Sequence, residues 1–263
     1  MNRQQIEKIA AELLAQNPGN RMNHSFCAYD APHIAVASAD DPLFDELGSS
    51  DVIGDHFRKP DFWLPEARSV ISLFFPITDV VKKSNSTDAS VPSDEWLYAR
   101  YEGQNMINTI TAALADEIRR SGSNVVIPGL DKRFQSAGSA DRGFGTFTSN
   151  WSERHIAFIA GHGTFGLSKG LITEYGIAGR FSSLVTDLAL APNRRNYTEL
   201  YEYCSDCGAC IDNCPVHAIS FERGKDHSLC SDYLDRMLEQ FNPRYACGKC
   251  QCGVPCESKK MNN

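Results

Sequence analysis

Long apolar runs are missing from this sequence: nothing in its 263 residues approaches the length of a bilayer span, which argues against the helical membrane class. The opening stretch MNRQQIEKIAAELLAQN lacks the continuous apolar core and the small-residue cleavage site of a secretory signal. Ile6, Ile9, Leu13 and Leu14 recur there at helical spacing between charges, the pattern of a docking helix in a cytoplasmic protein. Concentrated positive charge is missing too. The 26 basic residues are outnumbered by 33 acidic ones, for a net charge of −7, and the pairs Lys82-Lys83, Arg119-Arg120, Arg194-Arg195 and Lys259-Lys260 are scattered. Phosphate backbones need clustered cations, so nucleic acid is disfavoured as a partner, although folding can still assemble a local basic patch. The sequence has no internal repeat of solenoid length. Before residue 204 it has a single cysteine, Cys27, which reads as a small buried hydrophobe.

What is present is a soluble, globular composition, 42% hydrophobic and 22% charged. The chain is long enough for one substantial core with a small second domain beside it. HIAVASA (33–39), SVISLFFP (69–76), NVVIP (124–128), GLIT and GRFSSLVTDLAL read as strands. Between them, QNMINTITAALADEIRRSG repeats Ile107, Ile110, Leu114 and Ile118 on one helical face and ends at Gly122. A second helix follows Asn150 in NWSERHIAFIAG, with Asn150 as its expected cap and Glu153 in its third position. The interleaving predicts one α/β or α+β domain over residues 1–195. Residues 82–95 read as a polar loop, and 136–150 as a Gly/Ser-rich loop able to line a site. From residue 196 the composition shifts to cysteine and turn residues, which marks a small metal-dependent module over 196–263.

Ten cysteines are many for a cytoplasmic chain, where disulfides do not persist. Nine lie between Cys204 and Cys256, so ligands are expected rather than bridges. CSDCGACIDNCPVHAIS spells Cys204-x2-Cys207-x2-Cys210-x3-Cys214-Pro215. Each two-residue spacer turns the backbone around a corner of one iron–sulfur cubane, and the fourth cysteine, fixed by its proline, points to a second cluster. Paired Cys-x2-Cys elements also build zinc ribbons, but the triple run ending in Cys-Pro favours iron and sulfur. The motif is not repeated as in an ordinary bacterial ferredoxin. After Cys214 come an isolated Cys230 and then CGKCQCGVPC. Spacing alone permits Cys252 in place of Cys230 or Cys256. Cys230 could also be a core residue, since it opens SLCSDYLDRMLEQF, a helix with Leu229, Tyr233, Leu234, Met237 and Leu238 along its inner face.

NWSERHIAFIAGHGTFGLSKGLITEYGIAGRFSSLVTDL, followed by CSDCGACIDNCPVHAIS, DHSLCSDYL and CGKCQCGVPCE, resembles the epoxyqueuosine reductase-like iron–sulfur proteins, which are related to corrinoid reductive dehalogenases. The likeness covers roughly Ala67 to Glu257. It implies an α+β fold in which a nitroreductase-like N-terminal domain carries a C-terminal ferredoxin-like module holding two 4Fe-4S clusters. It also implies a ligand division: Cys204, Cys207, Cys210 and Cys256 for one cluster, Cys214, Cys230, Cys247 and Cys250 for the other, with Cys252 spare. Cobalamin is the further cofactor implied, with Gly161, Gly163, Thr164, Phe165, Gly166 and Ser168 bordering the corrin ring.

Taken alone, GHGTFG matches the Gly-x-Gly-x-x-Gly pattern, but a dinucleotide site needs a strand running in and a helix running out. Here a helix runs in and loop and strand run out, so a nicotinamide site is rejected. A tight helix-to-strand turn stands beside the corrin reading. His155 and His162 flank the segment without partners at metal-ligand spacing, and ordinary hydrogen bonds would satisfy them. The family's Arg-Tyr-Ala-x-Gly-x-Asp-Tyr-His segment, whose Asp is assigned as proton donor, appears here as ARYEGQNMINTI. Arg100, Tyr101 and Gly103 remain, while Asn105, Met106, Ile107 and Asn108 occupy the Asp-Tyr-His neighbourhood, where Asn and Met supply no proton. Glu102 or Tyr101 could replace the acid by position, though an exposed helix-start carboxylate also accounts for Glu102.

The expectation is a cytoplasmic redox protein that takes electrons from a ferredoxin- or flavodoxin-type donor. It passes them through two clusters to a corrinoid or small-molecule acceptor, with no membrane or tRNA partner and with the proton donor unassigned. An electron carrier without corrinoid, and epoxyqueuosine reduction on tRNA, are the alternatives.

Overall fold

His33–Ser38, Ser69–Pro76, Gly179–Thr186 and Val125–Val126 pair antiparallel in that order to form the central sheet. The computed structural model describes residues 1–22, 25–138 and 146–261. Ser69–Pro76 is buried along its whole length because helices cover both faces, which is why SVISLFFP is apolar nearly throughout rather than alternating. On one face Ile71, Leu73 and Phe75 pack with Ile6 and Leu14 of the helix Arg3–Gln16 and with Ile107, Ile110 and Leu114 of the long helix Asp94–Arg120. On the other face Val70 and Val185 pack beneath Ile156 and Ile159 of the helix Glu153–Ala160, together with Trp63 and Trp151. At about 1.5–3 kcal/mol for each large apolar side chain fully buried, these two layers hold the sheet more strongly than strand propensity could.

All five sequence-read strands are present, and several local expectations are corrected. The long helix starts at Asp94, capped by the Ser93 hydroxyl, which accepts from the Trp96 N–H at 3.2 Å. Glu102 therefore lies inside a helix, not at its start, and pairs with Arg244. Lys82 and Lys83 belong to the helix Asp79–Asn85 rather than to a loop. Asn150 caps no helix: its Oδ1 accepts from the Gln135 N–H and its amide donates to the Arg133 carbonyl, while Ser152 occupies the cap position and Glu153 the first helical one. Cys27 is exposed on the short strand Phe26–Cys27, not buried. Of the Gly/Ser-rich stretch, residues 139–145 lie outside the described residues.

Beyond Tyr197 the chain forms short turns, the hairpin of Ile219–Ser220 with Gly224–Lys225, and the helix His227–Phe241, whose cap Asp226 accepts from the N–H groups of Ser228 and Leu229. Tyr233 and Met237 face inward on that helix, but Leu229 is 43% exposed. The C-terminal segment then returns to the sheet domain. Ile177 and Ala178 donate backbone hydrogen bonds to the carbonyls of Cys256 and Glu257, and Ala246 and Cys252 join the main core. Among the described residues no helix is long and apolar enough to cross a membrane.

Candidate functional site

Two cavities are walled by thiols. Cys204, Cys207, Cys210, Cys250 and Cys256 line the first, a tight space of about 20 Å³ closed by Ile172, Ile177 and Val254. Its loop is turned by Asp206 and Gly208, both with left-handed backbone, before Cys210 enters the short helix Ala209–Asp212. The Tyr203 N–H, bonded to the Thr164 hydroxyl, anchors the turn just before Cys204. Cys214, Cys230, Cys247 and Cys250 line the second cavity, of about 170 Å³, with Trp96, Ile219, Tyr233 and Leu234. There Cys230 projects from the first turn of the helix His227–Phe241, and the Ala218 N–H donates to the Cys214 sulfur at 3.2 Å. Cys250 borders both spaces.

The ninth thiol behaves differently. Cys252 is 2% exposed, lines neither of these cavities and receives the Asn85 side-chain amide at 3.6 Å. Asn85 also donates to the Cys247 carbonyl and takes up the Lys249 ammonium, so Cys252 sits in a hydrogen-bonded core contact. Burial raises the Cys247, Cys252 and Cys256 thiols to about 12 and the Cys210 thiol to about 11, with neighbouring sulfurs adding to the effect at each. Such thiols stay protonated until a cation offsets the charge, as cluster iron does. All the cysteines are free. Among the described residues no group of three or more His, Cys, Asp or Glu converges as ligands to a single ion would. Thiols set around a space rather than a point are the donor arrangement that suits an iron–sulfur cluster.

A third cavity, of about 750 Å³, abuts the second, and the two share Arg100, Gly179, Arg180, Lys225, Leu234 and Gln251 as common wall. This size suits a large organic ligand. Arg180 donates to Gln104 Oε1, and Gln104 in turn donates to Asn108; Arg100 donates to the Tyr245 hydroxyl. Among the described residues Arg100, Arg180 and Lys225 form no ion pair with a carboxylate. Burial, then the neighbouring Arg100 charge, brings Arg180 down to about 10. Glu153 also lines this space. Its Oε2 is buried without a partner, and burial pushes its carboxyl up to about 7 against the opposing Ser183 hydrogen bond.

The sequence-read corrin residues do not meet at one cavity. Gly161 borders a separate polar pocket of about 190 Å³, while Gly163, Thr164 and Phe165 are buried in a hairpin with Leu171–Thr173. Gly166 and Ser168 line the first thiol cavity; from this region only Gly170 and Leu171 reach the large one. His155 bonds the Ser152 hydroxyl and His162 the Ser72 carbonyl, and burial draws both down to about 4. Sequence reading missed Arg180 and Glu153. Arg180 carried a signal, a lone charge entering an apolar strand, but Glu153 looked like any acidic first-turn residue.

Residues 198–220 match the family described as 4Fe-4S binding domain. Tetrachloroethene reductive dehalogenases of Desulfitobacterium hafniense and Dehalobacter restrictus are 39% identical over 69 residues, 26% of this chain and 12% of their own length. Among solved structures, a selenomethionine-labelled epoxyqueuosine reductase matches 99% of this chain and 67% of its own, with a TM-score of 0.57 at 16% identity. An epoxyqueuosine reductase with an epoxyqueuosine-modified tRNA stem loop gives 0.56 at 16% identity, over 99% of this chain and 66% of its own. A catabolic reductive dehalogenase gives 0.53 at 16% identity, over 87% and 30%. The chain has the fold these proteins share, and it carries an iron–sulfur binding domain.

Proposed function

We propose, from a 4Fe-4S binding domain set on the fold of epoxyqueuosine reductases and reductive dehalogenases, that this chain is a reductase with two clusters serving a cofactor cavity. Cys204, Cys207, Cys210 and Cys256 hold one cluster; Cys214, Cys230, Cys247 and Cys250 hold the other. The observation that carries this reading is the succession of spaces: two thiol-lined cavities meeting at Cys250, the second sharing a wall with the large cavity. Clusters bound there supply single electrons, which a ferredoxin- or flavodoxin-type donor replenishes.

A corrinoid is the ligand proposed for the large cavity. It brings cobalt chemistry of its own. Trp151, Phe134, Phe181, Leu130 and Leu171 would give a corrin an apolar wall there, with Arg100, Arg180, Gln104 and Asn108 as polar partners for its side groups. Arg100, Arg180 and Lys225 offset the negative charge of thiolate-bound clusters. Ile219, Trp96 and Leu234 keep water from the second thiol set. Epoxyqueuosine reduction on tRNA is a second reading, favoured by a fold shared with epoxyqueuosine reductases over 99% of this chain at 16% identity.

The test is anaerobic reconstitution, an iron count, then titration with hydroxocobalamin before and after desalting. Retained stoichiometric corrinoid with a base-off spectrum supports the first reading. Intact clusters with no retention would favour an electron carrier, and queuosine restored in a deficient strain would establish the second.

A further inference from the structure

The segment that aligns with the family's acidic motif supplies no acid at the large cavity. Gln104 and Asn108 line it, while Glu102 is taken up by Arg244 and lies outside it. A carboxyl does reach the same space from elsewhere. Glu153 stands at the first position of its helix, and it is the one acidic side chain among the described residues lining the cavity. Trp151 Nε1 donates to the Ser183 hydroxyl at 2.9 Å, that hydroxyl opposes protonation of the Glu153 carboxyl, and Glu153 Oε2 is buried and unpartnered. A buried carboxylate oxygen without a donor costs more than a protonated one, whose unpaired O–H is the smaller loss.

We propose that Glu153 is the catalytic acid of this cavity, holding on Oε2 the proton delivered to the reduced substrate. The inference rests on the reductase reading above. For a carbon–halogen bond the balance is R–X plus two electrons plus one proton giving R–H and X⁻: the C–X bond breaks, X departs with its electron pair, and the new C–H bond takes the proton from Glu153. For an epoxide it is two electrons plus two protons giving an alkene and water: both C–O bonds break, the departing oxygen takes one proton from Glu153 and the other from solvent, and no C–H bond forms. The electrons come from an external one-electron donor, dithionite in the assay below, and water reprotonates the carboxylate. A turn about the side chain's own bonds brings Oε2 into the cavity. The helix N-terminus and the Ser183 hydroxyl then steady the carboxylate left behind.

Among the described residues, the charged or titratable groups that share the cavity wall or the helix with Glu153 are Arg154 and His155 on its own helix, Arg100 from the long helix, Arg180 from the sheet and Lys225 from the C-terminal hairpin. Burial keeps His155 neutral, and the Ser183 hydrogen bond is what opposes protonation of Glu153.

The test uses full-length, cluster-reconstituted protein with isotope-labelled glutamate. Infrared difference spectra should show a protonated carboxyl that titrates near neutral pH and is missing in Glu153→Gln at unchanged iron content. Reduction of two probes, tetrachloroethene and an epoxyqueuosine stem-loop RNA, is then followed with hydroxocobalamin and dithionite. Glu153→Gln should slow whichever probe the wild type reduces by about 100-fold or more, the usual weight of a general acid. Glu153→Asp should restore part of the rate, and the wild-type rate should fall as pH rises past neutrality. An active wild type matched by Glu153→Gln, or a Glu153 already ionised at pH 5, overturns the assignment and leaves the reductase reading standing. A loaded wild type that reduces neither probe overturns both.

Discussion

Asn85 and Cys252 show how one hydrogen bond sorts otherwise similar thiols. A sulfur that accepts an amide in the core has its place in the packing, while one beside a thiol-lined space is available to metal. Cys252→Ser should therefore retain close to full iron after reconstitution, whereas Cys230→Ser should lose about half of it, one of two clusters. Colorimetric iron counts check both, and the reverse pattern would undo the ligand division. Glu153 gives a pH prediction. Its carboxyl is raised from the ordinary 4.5 to about 7, so between those values the folded chain binds the proton more than the unfolded chain does. Stability from this group is full below about 4.5 and is lost as pH rises through 7. Thermal melts of wild type against Glu153→Gln should show the wild type losing ground across that window. The cysteine run was legible in the sequence because its spacing is local. Glu153 was not, because its surroundings come from the long helix, the sheet and the C-terminal hairpin, which meet only in the fold.

Glycines join the elements that present the thiols. Gly248, at φ +71°, opens the turn between Cys247 and Cys250, and a Cβ there would lie 2.0 Å from the Trp96 ring. Gly176, at φ +90°, lies against the backbone after Cys256, where a Cβ would come within 2.1 Å of the Glu257 carbonyl oxygen. Gly248→Ala should lose the cluster of the Cys214 set and Gly176→Ala that of the Cys204 set. Each should keep about half the iron, with a paramagnetic spectrum matching Cys247→Ser and Cys256→Ser respectively. Retention of both clusters in either variant would show that these contacts do not govern the ligands. The strands were readable because their burial makes them continuously apolar. The true start of the long helix was also written in the chain, as Ser93 followed by Asp94 and Glu95. Placing those residues in a polar loop hid it, since capping residues and loop residues are of the same types.

At the scale of the whole molecule, the C-terminal part has little core of its own: Ala246 and Cys252 are counted in the main core, and Tyr233 and Met237 are what its helix buries. Its order should therefore depend on bound iron as well as on docking. Removing iron with a chelator should lower the melting temperature and open residues 199–230 to proteolysis before the sheet is cut, as mass spectrometry of early fragments would show. First cuts within the sheet would contradict this. A change of composition at residue 196 is visible in the sequence. The return of Cys256 and Glu257 to Ile177 and Ala178 is not, because a backbone pairing across so much chain has no sequence signature.

That return has a consequence for biosynthesis. On the proposed ligand division, each set of four draws on the segment Cys247 to Cys256, and that segment leaves the ribosome after the sheet and after the whole Cys204 to Cys214 run. Neither metal site can close while the chain is still growing through it, so the sheet domain is made first and iron is loaded last. A transcript cut short before Cys250 would yield a protein with both sites open, which quality control could recognise by its missing iron rather than by a missing fold.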